Sequence, residues 1–158
     1  MIMDINNAIN DILVKFMKST PGVKQVLLSD ATGLVISKVT KDDQFSDFEG
    51  FASISTALYL GMSELKLGKL GFSLSEFPEN NLCFYGVTKE HVLVTITSKN
   101  ASLKKLKAAL KTISTEITQQ LDLWKTAEKI ESKQEEIIEK SVGLSKEEFD
   151  QLLDELSF

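Results

Sequence analysis

The chain contains no arginine: all 18 of its basic residues are lysines. Arginine is the usual bidentate reader of phosphates and guanine edges, so specific nucleic-acid recognition loses its main instrument. There is one cysteine, Cys83, and no intrachain disulfide framework can form. It sits in the apolar run Leu82-Cys83-Phe84-Tyr85 and reads as a small buried hydrophobe. There is one histidine, His91, which together with Cys83 falls well short of a zinc ligand set. A Ser-His-Asp triad would have to use His91, and nothing marks a serine as its nucleophile. Walker A, G-x-G-x-x-G and G-x-S-x-G motifs are missing. The pairs Asp42-Asp43 and Glu135-Glu136 read as solvated charges, not as acid/base pairs. These absences predict a protein that is not an enzyme, with no cofactor and no metal. No run of about 20 apolar residues occurs, so membrane insertion is not expected. Met1 to Asn10 lacks the basic-then-apolar pattern of a signal peptide, and a cytoplasmic location is expected.

What is present suits one globular domain with an appendage: 158 residues, 42% hydrophobic and 26% charged. The net charge of −5 is unevenly placed. In residues 1–124, 13 lysines cancel 13 acids, whereas residues 125–158 carry 5 lysines against 10 acids. The whole imbalance lies in the C-terminal fifth, which repels nucleic acid.

Hydrophobic periodicity lays out the elements. Ile5, Ala8, Ile9, Ile12, Leu13 and Phe16 define a first helix over about 4–18, stopped by Pro21-Gly22. Val23 to Ser29 and Leu34 to Val39 form a hairpin around Asp30-Ala31-Thr32-Gly33. The box Ser46-Asp47-Phe48-Glu49 predicts a middle helix running to about Lys66, with Gly68 as terminator. Leu70 to Phe77 reads as a strand ending at Pro78. Leu82 to Thr88 and His91 to Ser98 read as a second hairpin. Leu103, Leu106, Leu110, Ile113 and Ile117 open a long helix whose apolar stripe thins beyond Trp124 and breaks at Val142-Gly143. A box at Ser145 to Glu148 opens a short last helix. Interleaved helices and hairpins give an α+β fold with an antiparallel sheet. The expected division is a domain over 1–122 and an acidic helical extension over 123–158.

Two features exceed a generic fold. Gly50 through Ser63 contains no charge at all, although a surface helix should show a polar face. At about 100° per residue, Phe51, Ile54, Leu58, Met62 and Leu65 form a stripe expected to cover the sheet. Gly50, Ala57 and Gly61 form a small-residue face expected to meet the same helix of a second copy about a twofold axis. The last helix carries Phe149, Leu152, Leu153 and Leu156 at the spacing of partner-binding helices. Lys99, Lys104, Lys105, Lys107 and Lys111 cluster at the start of the long helix, against its dipole, and read as a solvated face, with an acidic partner or a membrane surface as the alternative.

In order and spacing, the S-T-P-G-V segment (Ser19 to Val23), the V-L-L-S-D-A-T-G-L hairpin (Val26 to Leu34), the uncharged middle helix, and H-V-L-V-T-I-T (His91 to Thr97) leading into N-A-S-L resemble the roadblock/dynein light chain domain over about residues 4–120. Lys104 follows Leu103 where that family often has glycine. Glu76-Phe77-Pro78 and L-S-K-E-E-F-D-Q-L-L (Leu144 to Leu153) are similar to its branch of bacterial polarity regulators of Ras-like GTPases. The resemblance implies a roadblock-type α/β/α sandwich: a five-stranded antiparallel sheet with the middle helix on one face and the terminal helices on the other. It implies a homodimer through Gly50, Ile54, Ala57 and Gly61 of the middle helix and Gly71, Phe72, Ser73, Leu74, Ser75 and Phe77 of the third strand. It also implies binding of a small Ras-like GTPase and, in that branch, stimulation of GTP hydrolysis. A nucleotide-insensitive scaffold dimer and a small-molecule-sensing module are the alternatives.

Overall fold

In a computed structural model, residues 5–41, 45–141, 143 and 145–155 are described. Asp42, Asp43, Val142, Leu144 and Leu156 lie outside them. The chain divides into two compact units that meet in sequence between residues 120 and 121.

The first unit opens with α1 (Ile5–Ser19), whose Ile9, Leu13, Phe16 and Met17 are buried. β1 (Val23–Asp30) and β2 (Val35–Thr40) follow as an antiparallel hairpin. Its turn is closed by the Gly33 N–H donating to the Asp30 carbonyl at 3.1 Å, and Gly33 has φ +84°, a conformation that favours glycine. α2 (Phe48–Ser63) leads to β3 (Phe72–Glu76), β4 (Asn80–Thr88) and β5 (His91–Ser98). α3 (Leu103–Ser141) and α4 (Lys146–Glu155) complete the order.

The sheet is five-stranded and antiparallel in the order β2-β1-β5-β4-β3. Side chains alternate between its two faces. Leu27, Phe84, Val92 and Val94 point to α2 and form one core layer with Ala52 and Tyr59. Val26, Leu28, Cys83, Leu93 and Thr95 fall on the opposite face by register. α1 lies on that side, where Asn10 Nδ2 reaches Ser37 Oγ at 3.5 Å. The start of α3 lies there too, with the Lys107 ammonium 5.7 Å from the Phe72 ring centre. Leu106, Leu110, Ile113 and Ile117 of α3 are buried. This is the roadblock-type α/β/α sandwich.

Three local expectations shift. Asp47, not Ser46, caps α2, because its carboxylate accepts the Gly50 N–H at 3.0 Å. α2 ends at Ser63 rather than Lys66: the Glu64 N–H turns back to the Gly61 and Met62 carbonyls, and Lys66 and Gly68 have positive φ. β3 begins at Phe72 and β4 already at Asn80, so the turn between them is tighter than its proline and asparagines suggest. Gly86 allows the chain before β3 to pass close, since a Cβ there would strike the Leu70 carbonyl.

Candidate interaction surfaces

The middle helix faces the other way round from its expected orientation. The residues it buries against the sheet are Ala52, Ser55, Thr56 and Tyr59, spaced i, i+3, i+4, i+7. Of the expected stripe only Phe51 packs against the core, half-buried; the rest points outward, with Ile54 61% exposed, Leu58 42%, Met62 36% and Leu65, just beyond the helix, 63%. The physical reason lies beneath the helix. The sheet already supplies the bulky Leu27, Phe84, Val92 and Val94, so small side chains fit above them. The polar members of the inner stripe are satisfied. Ser29 and Thr56 hydroxyls share a hydrogen bond of 3.1 Å, Tyr59 donates to the Thr88 carbonyl at 2.5 Å, and Ser55 donates to the Phe51 carbonyl at 2.6 Å.

The outer face therefore joins large apolar residues to small ones. Ala57 and Gly61 are exposed, and a Cβ added at Gly61 would meet nothing within 4 Å. Gly50 differs. A Cβ there would run into the Asp47 carboxylate, so the cap itself requires this glycine.

β3 is an edge strand paired only with β4. Its far side presents unpaired backbone groups, the feature that lets a second strand add. Register places Phe72 and Leu74 on the α1 face and Ser73 and Ser75 on the α2 face. Ser73, Leu74 and Ser75 are half-buried, Gly71 is exposed, and Phe77 is 52% exposed. Near this edge Phe45, Phe51, Phe77, Asn80, Leu82 and Ile96 line an apolar pocket of about 210 Å³. Pockets that hold drug-sized ligands run from about 300 to 1,000 Å³.

The second unit is built differently. In α4 no residue is buried; Phe149, Leu152 and Leu153 are half-covered. The Ser145 hydroxyl accepts the Glu148 N–H at 3.3 Å, the N-cap half of the expected capping box, and donates to the Glu148 carboxylate at 3.2 Å. In α3 beyond residue 120, Leu123, Trp124, Ile130 and Ile138 are exposed. Lys140 and Glu136 form an ion pair at 2.7 Å, and the Glu136 hydrogen bond pushes the Lys140 pKa up.

Chemistry in the first unit is quiet. Cys83 is fully buried and its thiol pKa is pushed up to about 11 by burial, so it is protonated at neutral pH. His91 Nδ1 lies 2.8 Å from the Thr88 hydroxyl. Among the described residues, no group of three or more His, Cys, Asp or Glu is placed to hold a metal ion. No described helix is long and apolar enough to cross a membrane. Lys99, Lys104, Lys105, Lys107 and Lys111 are all exposed.

Sequence reasoning found both α2 and β3 but missed the outward turn of the apolar stripe. The signal was available in the Ala52, Ser55, Thr56, Tyr59 spacing, which reads as a second, small and hydroxylated stripe.

No protein-family model matches the chain. No curated protein matches it. Solved structures do match. Myxococcus xanthus MglB is 23% identical with a TM-score of 0.69, over 78% of this chain and 95% of that one. A Roadblock/LC7 domain from Streptomyces avermitilis is 16% identical with a TM-score of 0.63, over 71% and 96%. A structure described as MglB with a tetrameric arrangement is 13% identical with a TM-score of 0.70, over 78% and 95%. At these identities the likeness establishes the fold: this chain has the roadblock fold, in the form seen in MglB.

Proposed function

We propose that this chain is a non-catalytic regulator that works in the cytoplasm as a homodimer and binds a small Ras-like GTPase. The observation that carries the reading is the outward apolar stripe of α2 on a molecule whose β3 edge is open. A helix that exposes Ile54, Leu58 and Met62 beside Ala57 and Gly61 is built to be covered. A twofold pairing of α2 with α2 and β3 with β3 would cover it and join two sheets. The tetrameric arrangement described for one MglB structure supports assembly from several copies. The GTPase is the partner that the resemblance to the polarity-regulator branch implies. The half-covered apolar residues Phe149, Leu152 and Leu153 of α4 offer it a helix to bind. Stimulation of hydrolysis would act by repositioning the GTPase's own groups, because an inserted arginine is worth roughly 10³–10⁵ in rate and this chain has none to insert. The apolar pocket near Phe77 is smaller than drug-sized ligand sites and does not by itself support a small-molecule sensor.

The test is size-exclusion chromatography with light scattering, alone and with a Ras-like GTPase loaded with GDP or a GTP analogue. The expected result is a dimer that co-elutes with the GTP-analogue form. Ile54→Glu with Leu58→Glu is expected to give a monomer with unchanged far-ultraviolet circular dichroism, since both residues are exposed in the single chain. A monomeric unaltered chain overturns the dimer. A dimer that ignores nucleotide state turns the reading to a scaffold.

A further inference from the structure

A groove runs between α1 and α3. At one end Ser19, Lys105 and Ala109 border a cavity of about 490 Å³. It continues past Lys15 and Phe16 to Glu116 through a second space of about 250 Å³, and Ser19 and Ala109 border both. Small side chains on α3 keep the groove open, Phe16 and Ile113 give it an apolar floor, and its charged lining residues are Lys105, Lys15 and, at the far end, Glu116. Lys15, Lys18, Lys104 and Lys105 are exposed and form no ion pair among the described residues. Lys104 and Lys105 sit in the first turn of α3, where the helix dipole adds further positive potential, and Lys15 borders the far end of the groove beside Glu116.

We infer that this groove receives the acidic helix α4 of a second copy of the chain. Three properties of α4 match it. Its ten residues hold five acids against one lysine, opposite in sign to the Lys15 and Lys105 that border the groove and to the neighbouring Lys104. Its Phe149, Leu152 and Leu153 form an apolar stripe of which nothing is buried. Its length of about 15 Å compares with about 17 Å along α3 from Lys105 to Glu116. Polarity sets the direction. Asp154, Glu155 and the negative end of the α4 dipole go toward Lys104 and Lys105, and Lys146 goes toward Glu116. Reciprocal exchange of α4 between two copies closes the assembly without leaving an open chain of contacts. The inference does not depend on a GTPase partner. If one exists, the groove and the GTPase compete for the same helix.

The experiment mixes two full-length variants, Ala109→Cys and Leu152→Cys, under mild oxidation, and reads disulfide-linked pairs on non-reducing gels. Native Cys83 is fully buried and stays out of the reaction. Mixed pairs are expected, and replacing Leu152→Cys by Leu123→Cys should give none above background. Lys15→Glu with Lys105→Glu on the groove copy should cut the yield about tenfold, as the loss of several weak pairs together predicts. Asp150→Lys with Asp154→Lys on the other copy should restore it. Circular dichroism checks that each variant is folded. A yield no higher than the Leu123→Cys control overturns the proposal, and so does a yield that ignores charge reversal. A chain carrying both cysteines that closes only on itself at low concentration overturns the choice of a second copy.

Discussion

The two units of this chain hold their helices by different means. Before residue 121, α1, α2 and the start of α3 each bury residues against the sheet: Leu13, Tyr59 and Leu110 are 0%, 3% and 1% exposed. From Leu123 onward no described apolar side chain is fully buried, and α4 buries nothing. Helix stability comes mostly from packing an apolar face, and isolated helices are marginal without it. The first unit is therefore held by its core. The second depends on local devices: the Ser145 cap, the Lys140–Glu136 pair and backbone propensity. The lesson is functional. A segment held by local devices opens at low free energy and is free to move from one partner to another.

Core truncation probes this contrast most strongly. Leu110→Ala is expected to cost about 3 kcal/mol, within the range for buried leucines, and to lower the melting temperature on the order of 10 °C. Ile130→Ala, at a site 49% exposed, should change stability by less than about 0.5 kcal/mol. Both are read by chemical denaturation. A cost for Ile130→Ala that rivals Leu110→Ala would break the comparison and show that the second unit has a core of its own.

The caps give a smaller and sharper contrast. Asp47→Ala removes the acceptor for the Gly50 N–H and should cost about 1 kcal/mol of global stability. Ser145→Ala removes the acceptor for the Glu148 N–H, yet the global transition should not move. Its effect should appear as faster amide exchange in residues 146–155 alone. A shift of the global transition by Ser145→Ala would mean that α4 unfolds with the rest.

Much of the architecture was legible because period and punctuation agree. Proline and glycine after α1, the Asp30 turn and the alternation through β5 each point to one structure. The face of α2 was not legible by the same rule. The rule assigns the most apolar stripe to the core, and here that stripe faces out while Ser55, Thr56 and Tyr59 face in. The failure falls on the surface proposed to bind a second copy, where burial in an assembly replaces burial in the chain. Ser46 was preferred over Asp47 as cap because both sit before the helix and only geometry separates them. The groove between α1 and α3 was invisible, because it depends on which helices lie side by side.

The smallest effects are in pH, and they run in opposite directions in the two units. Asp30 Oδ1 accepts the Thr32 hydroxyl at 2.6 Å, the Thr32 N–H at 2.9 Å and the Leu34 N–H at 3.1 Å. Burial acts to raise its pKa, but these bonds and the nearby His91 together hold it below the ordinary value. A depressed carboxylate stabilises the fold above its unfolded pKa, and that stabilisation is lost as pH falls through the folded value. The Lys140 pKa is raised, first by the Glu136 hydrogen bond. Its stabilisation is present below the unfolded pKa and is lost as pH rises through the folded one. The first unit should therefore lose a small increment on the acid side, read as a lower denaturation midpoint, and Asp30→Asn should flatten that limb. The second should lose helix on the alkaline side, read by exchange or circular dichroism, and Glu136→Gln should flatten that limb instead. If either substitution changed the other unit's curve, the two units would be coupled, and a local device in one could no longer be treated as independent of the core in the other.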